Sequence, residues 1–98
     1  MTYGQFSHES HEDISETGEI ARLHVPGRVL ASVNIEGPAG AEYSLDVSAN
    51  GTDWFEDEET YSGASIRDTF NVSDRIMRIR VTTPVEGEMA TVTLQGAR

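Results

Sequence analysis

Two stretches of alternation constrain this chain more than any other feature. In Arg28–Glu36, Val29, Ala31, Val33 and Ile35 fall at every second position, with Arg28, Ser32, Asn34 and Glu36 between them. In Ala41–Ala49, Ala41, Tyr43, Leu45, Val47 and Ala49 alternate with Glu42, Ser44, Asp46 and Ser48. A period of two belongs to a strand with one face buried and one wet. Ile76–Thr83 continues the pattern with Met77, Ile79 and Val81 inward and Arg78 and Arg80 outward; Glu88–Leu94 does so with Ala90, Val92 and Leu94 inward. Ala21–Val25, Trp54–Glu56 and Ile66–Val72 are weaker strands.

Turn residues separate these runs: Pro26-Gly27, Gly37-Pro38-Ala39-Gly40, Asn50-Gly51 and Pro84-Val85-Glu86-Gly87. Asn50-Gly51 is the sharpest hairpin signal, because both residues tolerate the positive φ of a type I′ turn. About seven short strands with turns between them predict an all-β fold. A single sheet would leave its apolar face wet, so two must pack, as an antiparallel β-sandwich of jelly-roll or Ig-like type.

The first residues read differently. Residues 1–20 hold Glu9, Glu12, Asp13, Glu16 and Glu19, with no Arg and few apolar side chains. The reading is an extended acidic N-terminal arm over 1–18, followed by a β-sandwich domain over 19–98. Alone, such an arm buries too little to offset its ordering entropy. A partner is expected to hold it through Tyr3, Phe6 and Ile14.

At 98 residues the chain has room for one core and no deep cleft. It carries 17 Asp and Glu against 7 basic residues, for a net charge of −10. That balance argues against nucleic acid and against anionic membranes as partners. Every basic residue is Arg, and Lys is absent. Acidity of this kind suits high salt, where at ~1 M the screening length falls to roughly 3 Å, so the reading is halophilic. With no Cys, neither disulfides nor Cys-based zinc sites are possible. No apolar run is long enough to span a membrane, and the first residues lack signal-peptide character.

No arrangement of residues points to catalysis. His8 and His11 stand beside Glu9 and Glu12, yet a zinc site needs three ligands on a rigid frame, so the reading is a solvated arm. Asp53, Glu56, Asp57, Glu58 and Glu59 crowd one segment, but their spacing is not that of a calcium loop, and the reading is an acidic loop. His24 faces outward, with no nucleophile paired to it. The chain is therefore expected not to be an enzyme and to hold neither cofactor nor metal. Arg75, Arg78 and Arg80 form the one basic cluster, either paired to nearby acids or serving as a docking face.

The stretch Tyr43-Ser-Leu-Asp-Val-Ser-Ala-Asn-Gly-Thr-Asp-Trp54, then Arg75-Ile-Met-Arg-Ile-Arg-Val81 and Ala90-Thr-Val-Thr-Leu94, resembles small β-sandwich proteins of tailed-virus particles. The resemblance covers roughly residues 28–95. It implies a virion structural role, as capsid decoration, cement or turret component, with the major capsid protein or other virion proteins as partners. It also implies a homo-oligomer, a trimer or pentamer, located in the virion after assembly in the host cytoplasm. With the salt signature, the host is expected to be haloarchaeal. The rival reading is a carbohydrate-binding module or a receptor-contacting fibre or tail domain, in which Trp54, Phe55 and Tyr61 stack on sugar rings.

Overall fold

A computed structural model describes residues 6–97, and the side chains within that span except those of Phe6, Pro26, Ser73 and Asp74. The order is β1 (Phe6–Asp13), β2 (Gly18–Glu36), β3 (Glu42–Ser48), β4 (Trp54–Ser62), β5 (Ser65–Thr83) and β6 (Met89–Ala97), and no described residue is helical. Hydrogen bonding runs in the order β1-β6-β2-β5-β3-β4, with every pair antiparallel.

β2 and β5 are long because each serves both layers. They pair along their whole length, with a register shift between Glu19 and Ala21 and a second at a corner, between Val25 and Arg28. Pro26 and Gly27 lie there, opposite Asp74 alone. Gly27 adopts φ 74°, a conformation that costs glycine little. An unequal insertion of this kind bends a strand pair and lets it change sheets. The result is two four-stranded sheets packed face to face. The first is β1, β6, residues 28–36 of β2 and residues 65–73 of β5. The second is residues 18–25 of β2, residues 75–83 of β5, β3 and β4.

Six strands that give eight segments replace the expected seven. Pro26-Gly27, expected as a turn, is a corner inside one continuous strand. The inward positions otherwise follow the alternation. Val29, Ala31, Val33, Ile35, Tyr43, Leu45, Met77, Ile79, Val81, Ala90, Val92 and Leu94 are all buried, whereas Ala49 is exposed.

The largest departure lies in the N-terminal segment. Residues 6–13 are not an arm but an edge strand in register with β6, from Phe6 opposite Gly96 to Asp13 opposite Met89. Ser10 Oγ donates to the Ile20 carbonyl at 2.9 Å, fastening β1 to β2. Ile14 is 0% exposed and belongs to the core. Its amide donates to Glu88 O at 2.9 Å, and its carbonyl accepts from Val85 N at 3.0 Å. Ile14 is thus an internal anchor rather than a partner contact. Tyr3 lies outside the described residues, and so does the Phe6 side chain.

The loop between β3 and β4 also differs from expectation. A type I′ turn needs positive φ at both central residues, but only Gly51 of the pair has it, at 83°. The loop is held instead by side chains. Asn50 Oδ1 accepts from the amides of Thr52 and Asp53, both at 2.9 Å, and Ser48 Oγ accepts from Gly51 N at 2.8 Å. The acidic run that follows is not a loop either: Glu56, Asp57, Glu58 and Glu59 lie within β4, an edge strand. Charge along an exposed edge discourages other strands from adding to it.

Gly37 makes one close approach that only glycine allows. A Cβ there would lie 2.6 Å from Tyr43 Oη and 3.2 Å from Ala90 Cβ. Tyr43 is buried and cannot swing away. Gly37→Ala is expected to lower unfolding free energy by about 1–3 kcal/mol, the usual range for overpacking. Urea melts of the two proteins measure it.

Candidate functional site

The outer face of the second sheet gathers three of the chain's seven arginines, Arg22, Arg78 and Arg80. Cross-strand register sets Asp46 opposite Arg78, Ser44 opposite Arg80, and Arg22 opposite Arg78. Trp54 sits opposite Ser48, on the same face. Asp46 lies at the centre and is 0% exposed although its side chain points away from the core. Arg78 Nε donates to its Oδ2 at 2.8 Å, and Arg80 Nε donates to the same oxygen at 2.9 Å. Ser44 Oγ donates to Oδ1 at 2.6 Å, and the Asp57 amide donates to Oδ1 at 2.9 Å.

The Asp57 amide reaches Asp46 because β4 bulges there. The β3–β4 register shifts between Leu45 and Val47, and Asp57 takes φ 58°, the one non-glycine positive φ among the described residues. Burial alone would raise the Asp46 pKa. The hydrogen bonds from Arg80, Ser44, the Asp57 amide and Arg78 outweigh it and hold the carboxyl well below the usual carboxylate range.

A second ring of charge surrounds this centre. Arg78 Nη2 donates to Glu56 at 3.2 Å, Arg80 Nη2 reaches Asp57 at 3.4 Å, and Arg22 forms a two-point pair with Glu19 at 2.6 and 3.0 Å. Trp54 caps the group, its ring centroid 4.0 Å from the Arg78 guanidinium carbon and 5.1 Å from that of Arg22. Arginine over indole is a favourable cation–π contact. Of the outward positions of β3, expected in solvent, Ser44, Asp46 and Ser48 are buried beneath this layer, and Glu42 is exposed.

The expected basic cluster therefore divides. Arg78 and Arg80 come together around Asp46. Arg75 pairs with Val25 across β2 and lines an open depression of about 250 Å³ with Val47, Phe70, Val72 and Glu58.

The aromatic trio does not assemble either. Trp54 is on the outer face, while Phe55 is opposite Val47 and Tyr61 opposite Tyr43, both core-side positions. Phe55 is 65% exposed at the sheet edge. The Tyr61 hydroxyl donates to Asp68 Oδ2 at 2.7 Å, bridging the open edge of the two sheets. Burial, and then the Asp68 carboxylate, push the Tyr61 phenol well above its usual range. A sugar ring would meet these aromatics one at a time.

His8 and His11 stand three apart on a strand and so face opposite ways. His11 Nδ1 is 2.7 Å from Thr91 Oγ1. Among the described residues no three His, Asp or Glu side chains are grouped for a metal.

Asp46 is the residue that sequence reasoning missed. It reads as one more outward acid, and only the register that brings Arg78 and Arg80 to it reveals its place. Comparison with known families, curated proteins and solved structures finds no match.

Proposed function

We propose that this chain is a virion structural protein of jelly-roll type, a decoration or cement component that docks on a viral particle. The strand order carries the reading. Within the sheets the order is β1, β6, late β2, early β5 and early β2, late β5, β3, β4. Every connection crosses between the sheets except the β3–β4 hairpin. That is the two-sheet path of the jelly roll, an architecture of viral capsid and lectin domains. The step from architecture to role is analogy, and the resemblance over residues 28–95 and the Arg-only acidic composition support it.

The docking surface in this reading is the outer face of the second sheet. Trp and Arg are the side chains that most often anchor protein interfaces. Here Trp54, Arg22 and Arg78 are fixed before binding, so little side-chain freedom is lost on docking. Pairs centred on a buried carboxylate are also screened less by salt than exposed ones.

The test is sedimentation of particles from the native source in multimolar salt. The chain is expected to pellet in fixed ratio with the coat protein. Recovery only as a small species in the supernatant overturns the reading. Trp54→Ala is expected to weaken co-sedimentation while the core stays folded, because Trp54 lies outside it.

A further inference from the structure

The outer face of the first sheet differs from the rest of the molecule. In a chain of net charge −10, its centre carries no charge. The registers place Thr93 beside Asn34 and Gln95 beside Ser32 on neighbouring β6 and β2. Depletion of charge at the centre is what distinguishes interface surfaces in composition. Leu30, 53% exposed, stands on this face opposite Ala97.

Charge reappears around this centre, at Arg28 and Glu36 toward the two ends of this part of β2 and, with opposite signs, on the outer strands β1 and β5. One row across the sheet reads Glu9, Thr93, Asn34, Arg67, from β1 to β5. The acid is on one outer strand and the cation on the other. A two-fold axis parallel to the strands, running between β6 and β2, lays β6 on the β2 of a second copy and β1 on its β5. Position along the strands is unchanged by that rotation. Glu9 then faces Arg67 of the second copy, and Arg67 faces its Glu9. Leu30 meets Ala97 of the second copy. The face is self-complementary, as a two-fold contact requires.

We propose that two copies of this chain associate face to face through the outer surface of the first sheet, with Glu9 and Arg67 paired across the two-fold. Arg67 is free to turn toward such a partner, because its contact with Glu36 is loose, at 3.8 Å. Elsewhere two copies would meet unfavourably. β4 offers Glu56, Asp57, Glu58 and Glu59 along an edge, and Arg78 and Arg80 are already engaged.

The area suffices for a modest dimer. Four strands ~4.8 Å apart and about eight residues long at ~3.3 Å each cover roughly 500 Å² per copy. That gives about 1,000 Å² in total, near the lower bound for a specific interface. The contact closes at two copies, unlike the trimer or pentamer implied by the resemblance, and it does not depend on the particle role.

Sedimentation equilibrium at physiological ionic strength tests it. The full chain is expected to show a reversible monomer–dimer equilibrium. Glu9→Arg and Arg67→Glu should each weaken dimerisation by about tenfold or more, through like charges set face to face. The double variant restores the pair in reverse and should return the dimer to near its original strength. Circular dichroism melts of each variant show whether the fold is intact; both positions are exposed, so it should be. A full chain that stays monomeric at every concentration overturns the proposal. So does a dimer indifferent to the single swaps, or a folded double variant that stays monomeric.

Discussion

Asp46→Ala is expected to destabilise the protein by about 3–5 kcal/mol, the range seen when one partner of a buried ion pair is removed. The substitution does more than delete an acid. It leaves Arg78 and Arg80, whose side chains are 14% and 24% exposed, without the oxygen that both share. It also leaves the Asp57 amide with only Ser44 Oγ, at 3.1 Å, at a residue whose positive φ aspartate adopts only at some cost. Asp46→Asn keeps the shape and removes the charge, and should fall between the two. Replacing Asp46, Arg78 and Arg80 together by apolar side chains of similar volume should recover much of the loss, because no charge is then left buried alone. Urea unfolding of the series measures these differences.

Acid is expected to act through the same carboxylate. Its folded pKa is depressed, so the stability it contributes is fully present above the unfolded value of ~3.9 and is lost as pH falls below it toward the folded pKa. Unfolding free energy should therefore decline below about pH 4 in the parent protein. The decline should be shallower in Asp46→Ala, which has lost that contribution at every pH. Equal slopes for the two proteins would show that Asp46 carries no proton linkage.

Ile14→Ala should cost about 2–5 kcal/mol, as for other fully buried aliphatic side chains cut to alanine. Deleting residues 1–14 should cost more still, because it also exposes the far edge of β6 from Met89 to Gly96. Thermal melts measure both. A solvated arm would behave oppositely, since its removal would leave the melting temperature in place.

Why this strand was hidden in the sequence is clear from its facing. Core-side positions of β1 are His8, Ser10 and Glu12, opposite Leu94, Val92 and Ala90. An edge strand over the rim of a sandwich can carry polar side chains inward, since their ends reach solvent. Period-two hydrophobicity is then missing, and composition points to disorder. β4 hides in the same way: its acids suggest a loop, although backbone pairing with β3 makes it a strand. The central strands were legible because they are sealed on one side: Val33, Ile35 and Leu45 have no route to water. Register was not legible at all. Nothing local in Ser44-Leu45-Asp46 says that Arg78 and Arg80 will stand across from it. The division of Trp54 from Phe55 and Tyr61 likewise follows from the strand faces and the bulge at Asp57.

The pairing of Phe6 with Gly96 has a consequence for the time course of folding. During synthesis the first strand has no strand to pair with until residues 89–97 exist. β2 in turn cannot bend into both layers until β5 has been made. Apart from the β3–β4 hairpin, pairing therefore waits for residues 65–97, and its contacts join residues far apart in sequence. All-β domains of such high contact order fold in milliseconds to seconds. Over that interval the apolar runs of β2 and β5 are open to neighbouring chains, and the strong negative charge of the unfolded polypeptide is what keeps those chains apart.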